Sequence, residues 1–255
     1  MASFLPLPRH GGEGRGEGER DQTVPYASSL RLAIVVPTLN EEQTLRRNLP
    51  GILAQADEVV VSDGGSTDCT IGIAQETGAR TVSGPACRGA QLNRGAGVTD
   101  ADILLFLHAD TTLPEKAGLS IKEAAAAGAP GGAFLIHFDG DGFVYRLGER
   151  VVNLRTRLAF TPLGDQGQWI TREAFRELGG FREWPLLEDL DFAKRMRRRW
   201  GRKRLAVIEE PVVTSARRFA KQGPARTVAR NWMIWMLFAM GVSPQRLAKL
   251  YRHVR

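Results

Sequence analysis

The sequence predicts an α/β fold with a mostly parallel central sheet flanked by helices. Two observations carry this: apolar, β-branched runs of the kind that strands buried on both faces need, and helix-forming stretches that alternate with them at βαβ spacing. The first run, Leu30–Pro37 (LRLAIVVP), reads as a strand and leads into Thr38-Leu39-Asn40-Glu41-Glu42, where Asn40 is placed to cap a helix over about Glu41–Ala56. Glu58–Ser62 is the next strand, Ser66–Thr77 a helix, Ala79–Ser83 a short strand, Gly89–Val98 a helix and Ile103–Leu107 a buried strand. Pro114–Ala127 reads as a helix with proline in its first turn.

After Gly128 the rhythm changes. Gly132–Phe138 is a predicted strand, Phe143–Leu158 a helix and Thr161–Gly167 a turn-rich loop, while Trp169-Ile170 is too short to classify. Helices follow at Thr171–Leu178 and Leu187–Trp200, the second with Leu190, Ala193, Met196 and Trp200 on one face. Leu205–Ile208 and Val212–Thr214 read as short strands, and Ala225–Met240 and Pro244–His253 as helices. The expected organisation is a disordered, Gly/Glu/Arg-rich segment over 1–28 that reads as an over-long start, a catalytic domain over 29–219 and amphipathic C-terminal helices over 220–255.

With 255 residues, 43% of them apolar, the chain can bury a core without covalent staples. Two cysteines, Cys69 and Cys87, supply neither a disulfide framework nor a zinc cluster, so a cytoplasmic setting is expected. The net charge of +7 hides a division. Residues 194–255 hold 17 basic and 2 acidic side chains, whereas residues 1–193 hold 18 basic and 26 acidic ones. A +15 third on a −8 body points to an anionic partner. The longest apolar run, Trp232–Val242, has 11 residues, about half of what a membrane-spanning helix needs.

Ligands of open parallel sheets sit beyond the carboxyl ends of the strands, and those ends carry unusual chemistry here. Asp63-Gly64-Gly65-Ser66-Thr67-Asp68 joins two glycines to a helix N-terminus, which lets backbone approach an anion. Arg88-Gly89-Ala90-Gln91-Leu92-Asn93 and His108-Ala109-Asp110 follow the third and fourth strands. Each has a plainer reading as turn and capping chemistry. With Pro37-Thr38-Leu39-Asn40-Glu41 after the first strand, four such ends in succession favour a site.

The ordered motifs Val35–Glu42, Ser62–Asp68, His108-Ala109-Asp110 and Glu188-Asp189-Leu190-Asp191 resemble those of the family-two glycosyltransferases, from about Leu30 to Thr214. The Arg-Gly-x-Gln-x-Asn segment with His-Ala-Asp is also similar to a bacterial subgroup described as selenodomain-associated transferases. The resemblance implies a GT-A fold and a nucleotide-diphosphate sugar donor, UDP- or GDP-linked. It implies that Pro37, Thr38, Asn40 and Glu41 line the base and ribose pocket, and that Asp63 accepts a hydrogen bond from the base with Gly65 and Ser66 beside it. Arg88 would approach the diphosphate, with Gln91, Asn93, His108 and Ala109 completing the donor site. Asp110 would bind the divalent cation, Mn2+ or Mg2+. Histidine at 108 departs from the commoner Asp-x-Asp and is either a second metal ligand or a ribose contact. Asp189, beside Glu188, would act as general base on the acceptor, giving inversion. No Gln-x-x-Arg-Trp is present, which implies single-sugar transfer.

Trp169, Trp184 and the Gly179-Gly180-Phe181 turn either shape an acceptor pocket or belong to the core. His137 reads as structural, and His10 and His253 receive no role. Lys194–Arg204 holds 8 basic residues in 11. With Trp232–Val242 it suits peripheral contact with an anionic membrane at its inner face and a lipid-linked acceptor, against the alternative that the tail packs on the domain. Two other classes are weighed: a nucleic-acid-binding protein, which lacks an accompanying zinc-finger or stacking motif, and a sugar-phosphate nucleotidylyltransferase, which would need glycine and basic residues after the first strand.

Overall fold

The computed structural model of the chain describes residues 27–140, 142–215, 230, 233–238 and 240–252. Apart from Ala27 and Ser28, the predicted N-terminal segment lies outside the described residues, as do His10, His253, the boundary at 219/220 and half of the helix predicted from Ala225.

Eight strands form one sheet in the order β3-β2-β1-β4-β7-β6-β8-β5. Strands β1 (Leu32–Thr38), β2 (Glu58–Asp63), β3 (Arg80–Ser83) and β4 (Ile103–Phe106) pair in parallel, as the alternation predicts. The other half is mixed. β7 (Gln168–Thr171) runs antiparallel to both β4 and β6 (Gly131–Phe138), β6 pairs in parallel with β8 (Ala206–Thr214), and β5 (Thr111–Thr112) closes the edge antiparallel to β8. The two short strands predicted at 205–208 and 212–214 are one strand: the register jumps from Phe134↔Ile208 to Leu135↔Pro211, so Glu209 and Glu210 are left exposed as a bulge.

Helices cover both faces. α1 (Glu42–Leu53), α2 (Thr70–Glu76) and α4 (Ala117–Ala126) join Leu32, Ile34 and Val36 of β1 in one core. α3 (Arg88–Gly97), α6 (Arg172–Leu178) and α7 (Glu188–Trp200) join Ala33 and Val35 in the other. Residues 32–36 are fully buried because alternate side chains of β1 serve opposite layers. α5 (Phe143–Ala159) lies beside β6, and α8 (Pro244–Arg252) ends the described chain. Pro114 precedes α4 and lies outside its first turn.

The described part of the tail packs on the domain. Ile234 and Leu247 form a small core with Leu187 and Leu190 at the start of α7, Phe238 meets Trp184 edge-on at 6.1 Å, and Lys194 Nζ lies 5.3 Å from the Phe238 ring. No helix among the described residues is long and apolar enough to cross a membrane. Much of the basic stretch is structural: Arg195 donates to the carbonyls of Leu178 and Gly180, Arg197 to that of Ala159, and Arg202 to those of Arg157 and Leu205. Arg199 pairs with Glu177. These guanidinium groups brace helix ends and loops, which removes the main support for a nucleic-acid footprint.

Candidate active site

The first two strand ends are laced together by their own side chains. Asp63 is fully buried, and its oxygens accept from Gly65 N (2.7 Å), Ser66 N (2.8 Å), Ser66 Oγ and Thr38 Oγ1 (3.2 Å). Burial alone would push its carboxyl up, but the hydrogen bonds from Ser66, Gly65 and Thr38 outweigh it and hold the group below the ordinary carboxylate range. Asn40 adopts a left-handed backbone (φ 54°) and does not cap α1. Its Oδ1 accepts from Thr67 N (2.9 Å), and its N–H donates to Ser66 Oγ (2.8 Å). Glu41 N donates to Thr70 Oγ1 (2.9 Å).

Several residues expected to touch the donor have architectural duties. Gln91, buried on α3, donates through Nε2 to Thr38 O and Ser62 O, both at 2.9 Å, and so ties β1 to β2. Asn93 clamps the backbone of Phe181, donating to its carbonyl and accepting from its N–H at 2.8 Å each. Ala109 has its methyl in the core and its carbonyl on Asn48 Nδ2 (2.8 Å). The Thr38 side chain is buried and turned to Asp63. The side chains of Gln91, Asn93 and Thr38 and the backbone of Ala109 are thus engaged within the fold, while Gly65, Pro37 and Glu41 are partly or fully accessible beside them.

The second half of the site gathers at the ends of β4 and α3. A cavity of about 10 Å³, room for about one water, is lined by Arg88, His108, Gly164, Gln168, Glu188 and Asp189 among others. Arg88 opens α3, where Gly89 is obligatory: a Cβ there would sit 2.0 Å from Arg182 O. Arg88 Nε pairs with Glu188 Oε1 at 2.9 Å, bridging the two halves of the domain. Glu188 is 2% exposed, and burial, reinforced by Asp189 and opposed by Arg88, pushes its pKa up to about 7. Asp189 opens α7 and accepts from Gly164 N and Leu190 N at 2.7 Å each. Gly164 permits this approach, since a Cβ would lie 2.6 Å from His108 Nε2 and 3.2 Å from Asp189 Oδ2.

Two charged residues here were missed in the sequence. Asp165 Oδ1 and the Nε and Nη2 of Arg155 are enclosed and have no hydrogen-bond partner among the described residues. Burial and the neighbouring Asp189 push Asp165 up to about 6, while burial lowers Arg155 against the pull of Asp165 and Asp189. Arg155 also stacks 4.8 Å over Trp235 of the tail. The Gly-Asp-Gln turn carried the only hint of Asp165, and nothing in the periodicity of α5 singled out Arg155. Trp169 is core, fully buried against β6, whereas Trp184 borders the tail. His137 pairs with Glu149 on the surface of β6, as a structural residue would.

Asp110 follows β4 in a turn beside His108. No three His, Cys, Asp or Glu side chains among the described residues converge as a ready metal site. A carboxylate and an imidazole fit a cation whose remaining ligands are phosphate oxygens and water.

An α/β sheet with polar loops at the carboxyl ends of β1, β2 and β4, and an acidic helix N-terminus sharing a cavity with His108, has the arrangement of a GT-A fold. The model of glycosyl transferase family 2 matches residues 33–183, and the chain belongs to that family; the protein is a glycosyltransferase. Among solved structures, it resembles glucosyl-3-phosphoglycerate synthase from Mycobacterium tuberculosis. With the form holding Mn2+, UDP and phosphoglyceric acid, the TM-score is 0.59 at 22% identity, covering 87% of this chain and 82% of that one. With the form holding Mg2+ and UDP, it is 0.55 at 21% identity, covering 79% and 75%. No curated protein sequence matches. The family membership sets the nucleotidylyltransferase alternative aside.

Proposed function

We propose that the protein transfers one sugar from a UDP- or GDP-linked donor to an acceptor hydroxyl, with inversion and with a bound Mn2+ or Mg2+. The observation that carries this reading is the convergence of Arg88, His108, Glu188 and Asp189 on one cavity at the carboxyl end of β4. When bound, the cation would be held by Asp110 with His108 and would neutralise charge on the departing nucleoside diphosphate. The Nη groups of Arg88 would add charge-assisted hydrogen bonds to the phosphates, since its Nε is held by Glu188. Asp189 accepts the hydroxyl proton as the acceptor oxygen attacks the anomeric carbon. The fixed N–H groups of Gly164 and Leu190 keep its carboxylate oriented.

Asp63 reaches the base only if the Thr38 or Ser66 hydroxyl rotates away, so its primary duty in this reading is to shape the loop that receives the nucleotide. The donor assignment agrees with the nucleotides named for the structural neighbours, which hold UDP or UDP-glucose. Calorimetry with UDP and with GDP, with and without Mn2+, tests it. The expected result is binding of one nucleotide that Mn2+ strengthens and that Asp110→Asn makes metal-independent. Failure of both nucleotides with and without metal overturns the donor site.

A further inference from the structure

Helix α5 turns several polar side chains to the domain, beside Tyr145 and Val152, which pack on the core. Phe138 N donates to Glu149 Oε1 (2.6 Å), and Asn153 brackets Ile136, accepting from its N–H (2.9 Å) and donating to its carbonyl (3.0 Å). Thr156 is fully buried against Gln166, whose Nε2 donates to Phe134 O (3.1 Å). These groups stand in for a neighbouring strand. β7 pairs with β6 only at Gly131 and Gly132, so the β6 edge from Phe134 to Phe138 must be satisfied by side chains.

The consequence lies on the opposite side. Phe143, Val144, Leu147, Val151, Leu154 and Leu158 are 48–76% exposed. At 3.6 residues per turn they fall within one arc of about 100° and extend about 22 Å along the helix. Single exposed apolar residues are ordinary on a protein surface, but a continuous stripe of six is not. The tail, whose Trp235 contacts Arg155 of α5, adds Met233, Met236 and Met240, 44%, 60% and 71% exposed.

We propose that this outward face of α5, with the methionines of the tail, docks on an anionic lipid bilayer. Charge selects this occupant. Glu149, the only acid of α5, is turned inward, while Arg150 of α5 and Arg246 and Lys249 of α8 are exposed. An apolar helix face with Arg150 at its edge, on a chain whose C-terminal helix also exposes cations, suits the boundary between acyl chains and acidic headgroups. A two-fold pairing of α5 with a second copy would bring Arg150 toward its own mate, with no exposed acid on the helix to meet it. Because Arg155 of the same helix interacts electrostatically with Asp189, the bilayer would lie near the acceptor side of the cleft. This deepens the proposed function by placing its acceptor at a lipid surface.

Flotation of the full chain with phosphatidylcholine vesicles, alone and mixed with phosphatidylglycerol, tests it. The wild type is expected to float with the acidic vesicles, less so at high salt, and Leu147→Glu/Leu154→Glu to weaken partitioning at least about tenfold. Leu119→Glu, at an exposed apolar position on α4, is expected to leave it unchanged. Thermal melting checks that the double variant is folded; Phe143→Ser at the start of the helix gives a second reading if it is not. A wild type that stays soluble with both vesicles, or a double variant that floats equally well, overturns the proposal. So does a lipid-free dimer, seen in sedimentation equilibrium, that the double variant splits. Nucleotide binding and flotation are separate measurements, so either reading can fail alone.

Discussion

The two sides of the cleft use the same residue types for opposite ends. On the donor side, Asp63 and Asp68 take most of their hydrogen bonds from donors two or three residues along the chain, joined by Thr38 and Glu42 from the neighbouring strand end, and these donors outweigh burial and lower both pKa values. Here a carboxylate is the rivet of a loop. On the acceptor side, Glu188 and Asp165 are pushed up to about 7 and about 6 because burial and a neighbouring carboxylate outweigh the nearby arginines. Charge is kept there under tension instead of being neutralised locally. Local hydrogen bonding makes a rigid nucleotide cradle, while incompletely compensated charge makes a place where protons can move.

The sharpest way to break this division is Asp189→Asn. Asparagine keeps one oxygen, enough for either Gly164 N or Leu190 N, which the carboxylate serves through separate oxygens, and it cannot take a proton, so turnover is expected to fall about 1,000-fold. Donor affinity, set across the cleft, is expected to stay within about twofold. Calorimetry with the nucleotide beside a transfer assay separates the two. Parallel loss of both would show that the halves do not act independently.

A large part of the donor side was legible because its physics is local. Residues 32–36 announced a strand buried on both faces, and each motif stood where a parallel strand had to end. What sequence could not assign was direction. Gln91 and Asn93 look like ligand-binding amides, yet their partners, Thr38, Ser62 and Phe181, lie 29 to 88 residues away along the chain. The acceptor side resisted for the same reason. Trp169-Ile170 became a central strand only because β4 and β6 offered it two antiparallel edges, and β5, with two residues, has no period to detect. α5 showed its helical rhythm plainly, but nothing in that rhythm says that several polar side chains face in. That follows from the short β6–β7 pairing.

Gln91→Ala probes the donor side by stability. It removes the amide that donates to two buried carbonyls, Thr38 O and Ser62 O, which then keep only their backbone bonds, that of Thr38 O coming from Gly64 N at 2.8 Å. A loss of about 2 kcal/mol in urea denaturation is expected, at about 1 kcal/mol for each lost hydrogen bond. The folded fraction should still bind nucleotide, more weakly where β1 and β2 have splayed. A loss under about 1 kcal/mol would mean that the two strand ends are not held by this side chain.

The last expected effect concerns pH. The folded-state pKa of Glu188, about 7, lies above its ordinary 4.5, so the folded protein holds this proton more tightly than the unfolded chain. The stability tied to the proton is complete below pH 4.5 and is lost as pH rises through 7, by up to about 3 kcal/mol. Glu188→Gln cannot titrate, so its stability relative to wild type should improve across that window, by about 6 to 12 °C in melting temperature. Asp165 titrates between 3.8 and about 6 in both proteins, so its contribution cancels in the comparison. The lowered carboxylates Asp63 and Asp68 slope the other way, and only below 3.8. A wild-type minus variant difference that is flat with pH would place Glu188 among the ordinary carboxylates. The Arg88–Glu188 bridge would then be a fixed ion pair like those elsewhere in the domain, and the contrast between the two sides would rest on Asp165 alone.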